Sequence, residues 1–340
     1  MIIFTGISGA LLLLSVNVAD PTPHQDKKDA SVSNKPVMWS GDHRITLKVD
    51  GLFRRYMVHV PSSYKGDKPV PVVIMLHGGG GTGIAAAYET GWKTAADKSG
   101  FLAVFPDASP PDPTRRARFA SNPQLWNDGS DRFYHKQTPV DDVAFLRAVI
   151  DDLESRFAVD KRRIYMTGFS NGAAMTFRAA EALSPRLAAI APAASTCWNP
   201  TPTLKRPVPM CYITGKNDPL NRMDGGPPKL ANGKYDPVRA KAKPPVRASI
   251  DRWIKATGCE PSPLSISDKN GVHIETYAPK GGDEMVVFIT IADMGHTWAG
   301  GKSILPERMV GKTSDRMDAT DFIWNFFKRH PLPEKATLAP

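Results

Sequence analysis

Cysteine is scarce in this chain. Its 340 residues hold three, Cys197, Cys211 and Cys259, with no C-x-x-C pair, so at most one internal disulfide can form and neither a disulfide framework nor a structural zinc site is supported. Cys211 stands inside the apolar run VPMCYITG, where a buried free thiol is expected. Long hydrophobic runs are also few. Residues 2–19 (IIFTGISGALLLLSVNVA) form an apolar stretch of about 18 residues that is interrupted by Thr5, Ser8, Ser15 and Asn17, marginal against the roughly 20 that a spanning helix needs. The polar, proline-containing ADPTPHQDKKDA follows it, so 1–19 reads as a secretory signal peptide and the mature chain as secreted or periplasmic, with a membrane anchor as the alternative. No Lys or Arg separates Met1 from the run, a departure from the usual signal pattern.

Acidic residues are outnumbered, 34 Asp and Glu against 44 Lys and Arg, giving a net charge of +10. Zinc-finger spacing, RNA-binding aromatic signatures and a heptad-supported basic region are absent, so the charge does not point to nucleic acid. No internal repeat or long low-complexity tract is present. The composition, 41% hydrophobic and 23% charged, is that of a globular protein. One folded domain over 43–330 is expected, preceded by a flexible segment at 20–42 and followed by a tail at 331–340.

Within that domain HRITLKVDGLFRRYMVHVP reads as two strands about an Asp50-Gly51 turn. PVVIMLHGGGG is a continuous apolar run ending in glycines, as for a strand buried on both faces of a parallel sheet. IAAAYETGWKTAADKSG then reads as one helix stopped by Gly100, FLAVFPD as a strand, and 108–139 as a long loop. DDVAFLRAVIDDLESRF is an amphipathic helix with acidic residues in its first turn. RIYMTG, a strand, runs directly into the helix FSNGAAMTFRAAEAL, and strands at LAAIAPAAS, VPMCYITG, GVHIETY and MVVFITI alternate with helices at ASIDRWIKATG and DATDFIWNFFKRH. The alternation predicts an α/β fold, a mostly parallel doubly wound sheet with helices on both faces.

The junction carries the chemistry. Gly168-Phe169-Ser170-Asn171-Gly172 is a G-x-S-x-G pentapeptide between an apolar strand and an Ala-rich helix, the setting of a nucleophile elbow. It predicts Ser170 as nucleophile above a helix amino end, with the Asn171 N–H as one oxyanion donor. A second donor is expected from His77-Gly78-Gly79-Gly80-Gly81, with Gly78 and Gly79 as the candidates. In this fold the order is Ser, acid, His, so the partners lie downstream. His77 therefore reads as a structural hydrogen-bonding group. Of the downstream histidines, His330 follows the last helix and His273 sits within a strand, whereas His296 lies in DMGHTWAGG just after the last strand and is the expected base. Asp218, in TGKNDPL after the strand VPMCYI, is the expected acid; its rivals are Asp224, Asp236 and an Asx turn at Pro219 that would use Asp218 structurally. Such a site needs no metal or organic cofactor.

At these motifs the chain resembles the esterase family that contains secreted poly(3-hydroxybutyrate) depolymerases and feruloyl esterases. The matching text is RRYMVHVPSSY, PVVIMLHGGGG, VDDVAFLRAVIDDL, VDKRRIYMTGFSNGAAM, GKNDPLNRMDGG, RWIKATGC and GHTWAGG, spread over roughly 44–330. The resemblance implies the α/β-hydrolase fold, secretion, no metal, the triad Ser170, Asp218 and His296, and hydrolysis of carboxylic esters in polymers or plant cell-wall conjugates. Two departures stand out. A cysteine often found after the strand following RWIKATGC is missing, so the resemblance does not carry the family's disulfide onto Cys259, and Ala299 stands where Pro is common in GHTWAGG.

Trp298 beside the base and Trp126 in the loop text LWNDG are candidate pocket walls for an aromatic or alkyl ester, core packing being the rival for Trp126. Residues 216–255 hold ten Lys or Arg against four Asp, a net +6. That segment could steer an anionic polymer such as poly(aspartic acid), or be a solvated face. An amidase or peptidase of a polyanion is thus the alternative to an esterase of hydroxyalkanoate or feruloyl esters, and an inactive binding protein the remote one.

Overall fold

A hairpin opens the fold. In the computed structural model, which describes residues 39–119, 121–130, 140–229 and 242–334, strands β1 (Gly41–Val49) and β2 (Leu52–Val60) pair antiparallel from Gly41↔Val60 to Val49↔Leu52. Their turn holds Asp50 at φ 49° and Gly51 at φ 80°, two successive left-handed residues as a tight hairpin requires. The leader expected at 1–19, residues 20–38 of the following segment, and 335–340 of the tail lie outside the described residues.

Six parallel strands form the centre: β3 (Val70–Leu76), β4 (Leu102–Pro106), β5 (Val159–Phe169), β6 (Ala189–Ala193), β7 (Met210–Gly215) and β10 (Val286–Ile291). Two further strands, β8 (Ser265–Lys269) and β9 (Val272–Tyr277), complete a sheet in the order β1-β2-β4-β3-β5-β6-β7-β10-β9-β8. The antiparallel pairs stand at its two edges.

Both faces of the centre are covered, and the period-2 alternation of the strands decides which residue goes where. Val72, Ile74 and Leu76 pack with Phe145, Leu146, Phe177 and Trp253 from α3 (Asp142–Arg156), α4 (Asn171–Leu183) and α5 (Val246–Thr257). Val73 and Met75, one residue out of phase, pack with Ala86, Trp92, Trp324 and Phe327 from α1 (Gly83–Thr90), α2 (Trp92–Ser99) and α7 (Ala319–Arg329). Burial on both sides is why these strands read as unbroken apolar runs, and each buried aliphatic side chain contributes about 1.5–3 kcal/mol. A short helix, α6 (Glu307–Val310), lies before α7.

Two expectations need correction. The helix read through IAAAYETGWKTAADKSG is two helices, because Gly91 takes φ 72°, ending α1 and starting α2 at a new angle. β8 was not expected at all. Every residue of SISDK is exposed, so no apolar alternation marks it, but Asn270-Gly271 at φ 53° and 75° is the turn that joins it to β9.

Parallel register brings the carboxyl ends of the central strands to one edge. Leu76 pairs with Gly168, Phe169 with Ala193, Ala193 with Ile213, and Ile291 with Gly215. Whatever follows β3, β5, β7 and β10 therefore gathers there.

Candidate active site

Ser170 follows β5 directly and caps α4 in a conformation of φ 54° and ψ −122°. A non-glycine residue there is strained by about 1–3 kcal/mol and persists only where its surroundings over-determine it. They do so here: the Ser170 N–H donates to Ala193 O at 3.0 Å, and Ser170 O accepts from Ala173 and Ala174 N–H at 2.9 and 3.1 Å. The flanking glycines are steric necessities. A Cβ on Gly168 would stand 2.4 Å from Gly172 O, and one on Gly172 would stand 2.3 Å from Leu76 O. Asn171 and Gly172, the first residues of α4, precede the N–H groups that bond within the helix, so a developing anion near Ser170 meets free donors and the positive end of the dipole.

The loop after β3 passes alongside. A Cβ on Gly78 would lie 3.5 Å from Ser170 Cβ, and one on Gly79 would lie 3.5 Å from Asn171 Cβ, so the loop borders the Ser170-Asn171 junction. His77 holds this loop in shape. Its Nε2 accepts from the Ala108 N–H at 3.0 Å, which puts the proton on Nδ1, and Nδ1 donates to Gly78 O at 2.7 Å. Both ring nitrogens are thus used in a neutral imidazole, and burial pushes its pKa below the ordinary histidine value.

Because the unfolded chain takes up a proton at His77 near pH 6.5 and the folded one resists it, this contribution to stability is present above that pH and lost as pH falls. Denaturant midpoints at pH 7 and pH 5 should differ less in His77→Gln than in wild type, since an amide can replace both hydrogen bonds without titrating. Equal pH dependence of the two proteins would refute it.

His296, in the loop after β10, reaches Ser170 Oγ with Nε2 at 2.8 Å and Asp218 Oδ2 with Nδ1 at 2.7 Å. Both side chains are nearly inaccessible, 4% for His296 and 0% for Asp218. The two loops are stitched together by Asn217 N–H donating to Met294 O at 3.1 Å, and His296 N–H ties the second to Val310 O of α6 at 2.6 Å. Asp218 also makes the Asx turn that was its structural alternative. Its Oδ1 accepts from Leu220 and Asn221 N–H at 2.8 and 2.7 Å, leaving Oδ2 for His296. The two readings are one arrangement, because a carboxylate has two oxygens. Asp224 is instead exposed and paired with Arg222 at 2.7 Å, Asp236 lies outside the described residues, and Asp293 pairs with Arg316. His273 bonds Asp268 and Glu275, while His330 bonds Phe326 O and Glu284 O.

Trp126 is not a pocket wall. It is fully buried, and its indole N–H donates to His77 O at 2.9 Å beneath the loop. Its backbone is held by the Asn171 carboxamide, which accepts from Trp126 N–H at 2.7 Å and donates to Trp126 O at 3.1 Å and to Asp128 Oδ2 at 2.8 Å. Core packing won because a polar loop over the sheet edge needs an apolar underside with a donor for an otherwise orphaned carbonyl. Trp298 does line a cleft beside His296, together with Gly78, Phe169, Glu89 and Lys302. Phe169 was not singled out from the sequence. Its ring lies 4.8 Å from that of His296 and 6.5 Å edge-on from Trp298, and its place as the first variable residue of G-x-S-x-G was the available signal.

The basic segment is more committed than its net charge suggests. Arg247 engages Asp251, Glu275 and the Tyr277 hydroxyl, Arg222 engages Asp224, and Lys243 is buried with Nζ 3.4 Å from Asn221 Oδ1. Lys234, Arg239 and Lys241 lie outside the described residues. Cys197, Cys211 and Cys259 are free thiols; Cys211 is buried as expected, and Cys259 Sγ contacts Thr257 Oγ1 at 3.3 Å.

Known proteins similar to this chain are esterases. Residues 62–223 match the family model described as phospholipase/carboxylesterase. The chain is 26% identical over 309 residues to the protein named "Putative esterase NocK" of Nocardia uniformis subsp. tsuyamanensis, covering 87% of this chain and 85% of that one. It is 30% identical over 258 residues to feruloyl esterase B of Piromyces equi, covering 73% of this chain but 44% of that longer protein. Among solved structures, the acetyl xylan esterase from Aspergillus awamori superimposes with a TM-score of 0.54 at 15% identity, over 76% of this chain and 94% of that one. Poly(3-hydroxyalkanoate) depolymerase C of Paucimonas lemoignei is a further relative, 25% identical over 70% of this chain and 57% of its own length. The chain is therefore a serine ester hydrolase of the α/β-hydrolase fold, similar to carboxylesterases, a feruloyl esterase and a poly(3-hydroxyalkanoate) depolymerase.

Proposed function

We infer that the protein hydrolyses carboxylic esters through an acyl-enzyme on Ser170. His296 Nε2 takes the Ser170 proton as Oγ attacks the ester carbonyl, and the alcohol leaves with that proton. The Asn171 N–H and the N–H of Gly78 or Gly79 hold the oxyanion. Water, deprotonated by His296, then frees the acid. Asp218 keeps the imidazole in the tautomer with Nδ1 protonated and stabilises the imidazolium. The observation that carries this reading is the continuous chain of hydrogen bonds from Ser170 Oγ through His296 to Asp218, at 2.8 and 2.7 Å. No step requires a metal or an organic cofactor.

The substrates in this reading are polymeric or aromatic esters, such as hydroxyalkanoate oligomers or feruloyl esters. Similarity to a feruloyl esterase and a hydroxyalkanoate depolymerase supports that range. Export is part of the same reading and rests on the apolar text of residues 2–19. The pairing of Arg222, Arg247 and Lys243 weakens the polyanion alternative, since charges already committed to partners steer less.

A panel of p-nitrophenyl butanoate, the matched butyryl anilide, methyl ferulate, hydroxybutyrate oligomers and poly(aspartic acid) tests the reading. Hydrolysis of the butanoate ester well above the anilide, with a fluorophosphonate blocking activity and mapping to Ser170, is expected. Anilide or poly(aspartic acid) turnover at or above the ester rate would overturn it.

A further inference from the structure

The cleft beside the catalytic edge contains one carboxylate for which the proposed mechanism has no use. Glu89, in the last turn of α1, lines it with Gly78, Phe169, His296 and Trp298. Gly78, Phe169 and His296 also stand beside Ser170, so a group of a bound ester that enters the cleft approaches Glu89.

Little in the protein satisfies this side chain. Its Oε1 accepts from the Ile304 N–H at 3.3 Å, a long contact, while the Glu89 backbone carbonyl takes the stronger bond to that loop from the Lys302 N–H at 2.8 Å. Among the described residues no cation pairs with it. The nearby Lys302 ammonium sits over the Tyr88 ring at 4.7 Å. Burial raises the Glu89 carboxyl above its ordinary value, the Ile304 N–H opposing only in part. A half-buried acceptor with spare capacity gains most from a donor that arrives with the ligand.

Size admits a small donor. The cleft leaves about 30 Å3 for a water-sized group, enough for a hydroxyl. A carboxylate would meet Glu89 as a like charge, whereas a hydroxyl can donate to it.

We propose that Glu89 is a specificity-determining residue that accepts a hydrogen bond from a hydroxyl a few bonds from the scissile ester, so that hydroxylated esters are preferred over their deoxy counterparts. The proposal rests on the esterase reading of Ser170 and His296. It assigns to the same site a preference that the triad alone cannot produce, because the triad contacts only the reacting atoms.

Three short esters test it: ethyl butanoate as the reference, ethyl 3-hydroxybutanoate with the hydroxyl on the acyl side, and 2-hydroxyethyl butanoate with it on the alcohol side. In wild type one hydroxylated ester should exceed the reference in kcat/KM by roughly tenfold, the lower end of what a hydrogen bond to a charged group contributes. In Glu89→Ala that ratio should fall to about one, and in Glu89→Gln it should fall below wild type, because a neutral amide replaces the charged acceptor. The ratio is read within each protein, so a general loss of activity does not imitate the result. Glutamine keeps an acceptor for the Ile304 N–H, which separates substrate recognition from loop anchoring.

A wild-type ratio within about twofold of one for both hydroxylated esters, or a preference that survives both substitutions, would overturn the proposal while leaving the esterase reading intact. If wild type hydrolyses no ester, the esterase reading falls and this inference with it.

Discussion

Ser170→Ala should lower kcat on any ester substrate by about 10⁴ to 10⁶-fold, the range seen when a hydroxyl nucleophile is removed from such a site. The expectation follows from the path of the reaction. Without Oγ no acyl-enzyme forms, and His296 is left to activate water across a gap shaped for a covalent intermediate. Folding should survive, since the lost atom is a half-buried hydroxyl at the sheet edge and its removal opens no apolar cavity. The strained backbone at φ 54° belongs to the junction of β5 and α4, and the glycines at 168 and 172 that permit it are untouched. Thermal melting within a few degrees of wild type, together with loss of fluorophosphonate labelling, would complete the result. Retention of more than a few per cent of the activity would show that another group is the nucleophile.

Much of this was legible because the residues concerned sit at strand ends, where parallel topology leaves few choices. Once β5 is read as a strand running into α4 without a loop, Ser170 must stand at the carboxyl edge, and the downstream partners must follow the two strands beyond it. Asp218 and His296 were reachable by that argument alone. What stayed hidden depended on contacts between distant segments. The sequence leaves Trp126 between pocket wall and core, and the carbonyl of His77 beneath it, 2.9 Å from its indole nitrogen, decides for burial. Glu89 lies in a helix with no catalytic text, and its place in the cleft depends on the loop at 301–305 folding over α1. The edge strand β8 carries no alternating pattern because neither of its faces is buried. The division of the first long helix turned on a single residue, Gly91, whose left-handed conformation the sequence permitted but did not require.

The acid is the assignment on which rival carboxylates bear most, and three substitutions resolve it. His296→Ala should cost nearly as much as Ser170→Ala, because removing the base leaves Oγ a protonated alcohol, and combining the two should cost little more since the members act as a unit. Asp218→Asn should cost less, about 10³ to 10⁴-fold. Its side-chain carbonyl would remain turned toward the Leu220 and Asn221 N–H groups that Oδ1 accepts from, so the amide NH2 would face His296 Nδ1. A donor at that position requires a lone pair on Nδ1 and moves the ring proton to Nε2, leaving the imidazole unable to accept from Ser170. The same geometry keeps the Asx turn, so the fold should tolerate the change and the loss should appear in kcat with KM little altered. Asp224→Asn provides the contrast. Its carboxylate is exposed and, among the described residues, hydrogen-bonds Arg222, so activity within about twofold of wild type is expected, a surface pair being worth at most about 1 kcal/mol. If Asp224→Asn proved the more damaging of the two, the acid would have to be moved to the outer loop, and the 2.7 Å contact between Asp218 and His296 would be a structural bond only.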